Sequence, residues 1–302
     1  MGHDGKNWGR IEGLGLKLPF VRPEEGTRRK PMSYLRFRNA NLNVMDEKDS
    51  HWSLPAYAGM VRKGDMVHQF RSQYGVFVKN FPDYLEGALK QCSVPEIRAE
   101  LEENIAEERY GAGARKILEN LKERGVISYV PEDTAHPELF KLIPKGLGFD
   151  TSDFDDFDAA PLLPKAEAFR KFLFRATHES GLPVALAVGT IFLEGKHDWE
   201  VFADKKDLPK KFKNRNLHTR AKTPAEHALH VYGAESDDLM LTWVHHEFEG
   251  ANGTHRKAAW DMVLNYTPEI EREKVILFMR EALLHHNEWR DEIAEQCGLV
   301  ND

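Results

Sequence analysis

The chain has 302 residues, 41% of them hydrophobic and 30% charged, with a net charge of −7. That is the make-up of a globular protein with enough chain for a full core, as one large domain or two small ones. The negative balance argues against general nucleic-acid binding, and no apolar run approaches the roughly 20 residues that span a bilayer. No secretory h-region opens the chain. Its two cysteines, Cys92 and Cys297, are far apart and in no metal spacing, which fits unpaired thiols in a reducing, cytoplasmic setting.

Residues 1–50 lack sustained periodicity and are rich in Gly, Pro, Arg and Asn. They read as an irregular N-terminal arm that packs on the body through Leu35, Phe37 and Leu42, with the body in residues 51–302. The run Gly13-Leu-Gly-Leu has no strand-turn-helix context and is not a dinucleotide fingerprint. From Asp65 to about Lys90 apolar residues recur at helical spacing, with Pro82 kinking or splitting the helix. A capping box, Ser93-Val-Pro-Glu96, predicts the next helix, with Ile97, Leu101 and Ile105 as its seam. Gly111 and Gly113 end it. Ala114–Arg124 reads as a short helix, Val126–Pro131 as a loop, and His136 opens another short helix closing near Gly146. The acidic run Asp150–Asp158 lacks the Gly and Glu positions of an EF-hand loop and reads as a solvated connector.

Two helices are expected around the Gly181-Leu-Pro turn, Pro164–Ser180 and Leu182 to about Phe202. The basic stretch Lys205–Lys222 has no seam and reads as an exposed loop and lid. Thr223-Pro-Ala-Glu226 starts a further helix. Thr267-Pro268 opens the last, running to about Gln296 with Val275, Met279, Ala282, Trp289 and Ile293 as seam. No strand pairs are legible. The expected fold class is all-α, a bundle of about seven or more helices. Phe70, Tyr74, Phe77, Val188 and Phe192 are placed to face either the core or a ligand.

The stretch from Leu241 to His255 holds three histidines and two glutamates within eleven positions. His245 and Glu249 are four apart, so on a helix both leave one face. Imidazole beside carboxylate suits a first-row metal such as iron, manganese or zinc; the competing reading is a wet, charged helix end. Glu194 follows the apolar run Val184–Leu193, where an acid is costly to bury without a metal or a base. Glu108, in Asn104-Ile-Ala-Glu-Glu-Arg-Tyr-Gly111, and His136, in His136-Pro-Glu-Leu-Phe140, add a carboxylate and an imidazole; each also reads as an ordinary helix residue. His246, His285 and His286 read as structural or exposed, and His197-Asp198 as a surface pair.

These motifs, in this order, resemble the heme-oxygenase-like diiron oxidases and oxygenases, relatives of the thiaminase-like proteins and of pyrroloquinoline-quinone biosynthesis protein C. The family pattern is Asn-Leu-x-x-Glu-x-x-Gly, then His-Pro-x-Leu-Phe, a Glu late in a central helix, and His-x3-Asp/Glu-x2-His. Asn104–Gly111, His136–Phe140, Glu194 and His245 with Glu249 match in turn, over roughly Asp65–Tyr266, with residues 112–135 as a long insertion. The match places the first ligand at Glu108 rather than Glu107. The family's last histidine falls at Asn252, and the next histidine is His255. A regular helix keeps Asn252 on the His245 face. Gly250 and Gly253 weaken a helix by about 1 kcal/mol each relative to alanine, and a break there is the condition for His255 to serve.

The resemblance implies a heme-oxygenase-like bundle holding two Fe(II) ions, with O2 as co-substrate. Glu108, His136 and His245 would be ligands, Glu194 and Glu249 bridging or terminal carboxylates, and His255 the sixth ligand; Glu108 and Glu194 would also count as catalytic. It implies C–H activation of a small molecule (desaturation, oxidative cleavage or oxygenation), with a free amino acid in a biosynthetic pathway as the leading substrate class. An external electron donor and a homodimer are compatible with it; nucleic acid and membrane are not expected. The competing classes are a metal-free thiaminase-like hydrolase, for which Cys92 and Cys297 are poorly placed nucleophiles, and a non-enzymatic small-molecule binding protein on the same fold.

Overall fold

The computed structural model describes residues 32–53, 63–111, 113–123, 125, 127–146, 157, 161–193 and 254–298. Among these there are helices and no strands. In chain order they are α1 (Tyr34–Lys48), α2 (Lys63–Gln73), α3 (Phe81–Gln91), α4 (Pro95–Tyr110), α5 (Ala114–Glu123), α6 (His136–Gly146), α7 (Pro164–Glu179), α8 (Leu182–Leu186), α9 (Thr254–Tyr266) and α10 (Arg272–Gln296). The Lys205–Lys222 loop and the Thr223 capping box lie outside the described residues, as does the Asp150–Asp158 run except Phe157.

The first difference from the sequence reading is at the N-terminal side. Residues 34–48 are a helix, where an irregular arm is expected. The Ser33 hydroxyl caps it by accepting from the Arg36 amide at 3.4 Å. Phe37, Leu42 and Met45 are fully buried, while Leu35 points outward. The seam was hard to see because Arg38 and Asn41 share the buried face, so the apolar periodicity is diluted.

Pro82 splits its helix as expected, sitting in the first turn of α3. Before the break α2 runs into a π-helical turn, Tyr74–Val78. The capping box at Ser93 does not form: the N-cap position is Val94, with no side-chain cap, because the helix begins one residue later at Pro95. Gly111 ends α4 in the left-handed region at φ 62. The last helix begins later than the sequence suggests, since Pro268 leads first into a 3-10 turn, Glu269–Glu271.

The bundle is built around α8. It is apolar on every side, and Val184 to Phe192 are all buried, which is the pattern of a helix enclosed by others. It widens into a second π-helical stretch, Ala187–Phe192. α3, α7, α9 and α10 pack against it; α1 lies along α10, and α4 along α3. The α10 seam, Val275, Met279, Ala282, Trp289 and Ile293, faces inward as its spacing predicts. Of the five candidate pocket residues, Phe70, Tyr74, Val188 and Phe192 are buried, and Phe77 packs on Phe169 and Trp289.

Candidate metal centre

Glu108 stands in the last turn of α4, and His136 is the first residue of α6. Twenty-eight positions separate them in sequence. In space the Glu108 Oε2 and His136 Nδ1 atoms are 2.5 Å apart, with only 12% and 7% of their side chains exposed. The contact is made by two loop ends that meet. Gly111 turns the chain out of α4, and a Cβ added there would lie 2.4 Å from the backbone oxygen of Thr134. No side chain fits between them, so the residue three after Glu108 touches the residue two before His136.

The entry to α6 is fixed as well. The Asp133 carboxylate accepts from the Ala135 amide at 2.9 Å, and the Ala135 carbonyl takes the amides of Glu138 and Leu139 at 3.0 Å. Glu108 therefore meets the N-terminal end of a helix, where the peptide dipoles favour negative charge. One turn on from His136, Phe140 joins an aromatic wall. Its ring centroid is 6.0 Å from Phe70, 6.1 Å from Tyr74 and 6.5 Å from Phe157. An oxygen and a nitrogen donor, buried together beside apolar rings, form a donor set that fits a first-row divalent ion.

One turn before Glu108, α4 meets the central helix and α9. Leu101 and Asn104 of α4, Thr190 of the central helix, and Ala258, Ala259 and Met262 of α9 line one narrow cleft. Asn104 is one turn before Glu108. Ala259 is one turn after His255, which sits in the first turn of α9. The His255 side chain is not among those described, and Glu194, His245, Glu249 and Asn252 lie outside the described residues. Among the described residues no group of three or more His, Cys, Asp or Glu side chains is arranged to hold a metal ion.

Sequence reasoning missed Lys48. It sits in the segment read as irregular, yet its ammonium donates to the Phe192 carbonyl and lies 4.8 Å over the Phe192 ring. This caps the π-helical stretch two positions before residue 194. A lysine in the last turn of a helix after a Ser N-cap was the available signal. Beside it, His286 is buried and held neutral: burial, then the charges of Arg290 and Lys48, keep it well below the ordinary imidazole value. His285, half-buried against Phe172, is also lowered, chiefly by burial.

No family model matches the sequence, and no curated protein sequence matches it. Among solved structures, the crystal structure of a TenA homolog from Pseudomonas syringae pv. tomato str. DC3000 superposes with a TM-score of 0.53. The two are 12% identical, and the match covers 88% of this chain and 93% of that one. At that identity the likeness is one of fold: the chain is an all-α helical bundle that shares its fold with that TenA homolog.

Proposed function

We propose that the chain is a non-heme diiron oxidase or oxygenase that uses dioxygen to activate a C–H bond of a small molecule, with a free amino acid as the leading substrate class. The observation that carries this reading is the buried Glu108–His136 pair, assembled from separate helices across a long insertion. Glu108, His136, Glu194, His245, Glu249 and His255 would hold the ions; the last four are proposed from the sequence motifs. Bound iron would supply the reduction of dioxygen, drawing on an external donor for electrons.

The chain's own part follows from the pair's surroundings. Glu108 would contribute a carboxylate oxygen and His136 a ring nitrogen; metal ligands of both kinds bind in their deprotonated form, so uptake weakens as pH falls. The aromatic wall behind Phe140 keeps that side dry.

The thiaminase-like hydrolase is the second reading, favoured by the likeness to a TenA homolog. Against it, Cys92 and Cys297 are both buried in the main apolar core, where neither thiol is offered to a substrate.

Anaerobic loading with ferrous ion, followed by metal analysis, separates the two. The expected uptake is close to two irons per chain, falling in Glu108→Gln and in His136→Ala. Loaded, reduced protein should then consume dioxygen with one member of a panel of amino and fatty acids. Failure of the native chain to bind iron above background would sink the diiron reading. For the last ligand, His255→Ala should lose about one iron while Asn252→Ala stays mild; the reverse result assigns the position to Asn252.

A further inference from the structure

Residues 112–135 form the insertion between the two halves of the Glu108–His136 pair, and their described part packs back onto α6. Leu118 of α5, Ile127 and Leu139 form a small core separate from the main one, with Tyr129, Val130 and Leu142 packed on it. Leu139 and Leu142 belong to α6. At about 100° per residue, Phe140 lies about 40° from His136 on one side, while Leu139 lies about 60° and Leu142 about 120° on the other. The inserted segment thus grips one flank of α6, and the aromatic wall grips the other.

α6 needs such support. It has 11 residues, with Pro144 inside it. Isolated helices shorter than about 12–15 residues are marginal in water, and an interior proline removes a ladder hydrogen bond. Arg115 of α5 ties down the approach to it: Nη2 donates to the carbonyls of Pro131, at 3.4 Å, and Glu132. Those residues lead directly to the Asp133 cap and to Thr134, which rests on Gly111.

We propose that residues 112–135 are a brace that holds α6 in the register where His136 meets Glu108, with Leu118 as the positioning residue. The brace sets how tightly the pair takes a divalent first-row metal ion without itself reaching the metal. This rests on the reading of Glu108 and His136 as ligands. A ligand on a helix docked only part of the time binds with its affinity reduced by that fraction. The brace keeps that fraction close to one.

The test uses the full chain with two readouts. These are hydrogen exchange across residues 136–146 in metal-free protein, and Co(II) titration followed by its visible absorption. Leu118→Ala should speed exchange across α6 while α7 and α10 keep native protection, and should weaken Co(II) binding roughly 10- to 100-fold. Leu118→Met should restore both, and Arg115→Ala should shift both less in the same direction. Should Leu118→Ala fail to fold, Arg115→Ala decides by the same readings. Native exchange across α6 in the variant, or loosened α6 with native Co(II) affinity, overturns the brace. If the native chain takes up no Co(II), the metal reading fails, while the exchange data alone then decide whether the segment braces α6.

Discussion

Gly111 controls the geometry of the Glu108–His136 pair more directly than any residue that touches it. Its φ of 62 excludes most side chains, and a Cβ would strike the Thr134 backbone at 2.4 Å. Gly125 is the natural comparison, since it has φ 71 but nothing within 4 Å of an added Cβ. Gly125→Ala should cost only the left-handed strain, about 1–2 kcal/mol. Gly111→Ala should cost clearly more, because the two loops must also part, and urea unfolding of both variants measures the difference. Equal losses would mean that the Gly111–Thr134 contact gives way without cost. The sequence marks Gly111 as a helix end, and its fit against Thr134 emerges only when residues 111 and 134 are brought together.

At the level of elements, side-chain hydroxyls and an amide satisfy backbone carbonyls at the π-helical turns. The Tyr84 hydroxyl, fully buried on α3, donates to the Val76 carbonyl at 2.7 Å, and Asn80 Nδ2 donates to the Gly75 carbonyl at 2.6 Å. In the second π stretch the Thr190 hydroxyl donates to the Leu186 carbonyl at 2.6 Å. Tyr84→Phe keeps the ring but strands a buried carbonyl, at a cost of about 1–3 kcal/mol. Thermal unfolding of this variant checks it, and an unchanged midpoint would show that the Val76 carbonyl finds another donor. π turns gather at functional sites in many proteins, and here one of them contributes Tyr74 to the wall beside Phe140. A 3.6-residue repeat does not announce such a turn here: one extra residue rotates the stripe by about 100°, but Tyr74–Val78 and Ala187–Phe192 are apolar at nearly every position and show no stripe to rotate.

For the molecule as a whole, buried imidazoles dictate the acid side of stability. His51, His285 and His286 are all lowered from 6.5, with burial the first cause in each. Below the ordinary imidazole value the unfolded chain binds protons that the folded one refuses, so stability is full above about pH 6.5 and falls as pH drops below it. Glu281 works the opposite way, because burial raises its carboxyl, and this one carboxyl stands against three imidazoles. Denaturant midpoints from pH 7.5 to 5 should therefore decline, and His286→Gln should flatten the decline. A native pH slope in that variant would place the proton linkage on other groups.

The sequence by itself determined the all-α class, most helix boundaries and the inward seam of α10, because those depend on apolar spacing and on Gly and Pro within a few residues. The family resemblance, not spacing or composition, named Glu108 and His136, and the structure shows that these two side chains meet. Tertiary structure alone decided that α1 is a helix of the body, since its buried face includes Arg38 and Asn41 and has no clean apolar stripe. It alone decided that Val94 rather than Ser93 occupies the N-cap of α4. The same holds for the meeting of Glu108 with His136 across residues 112–135. Nothing in the composition of that insertion records that Leu118 folds back onto Leu139; the distance between two side chains so far apart in sequence is fixed by packing, and packing is not written at any single position.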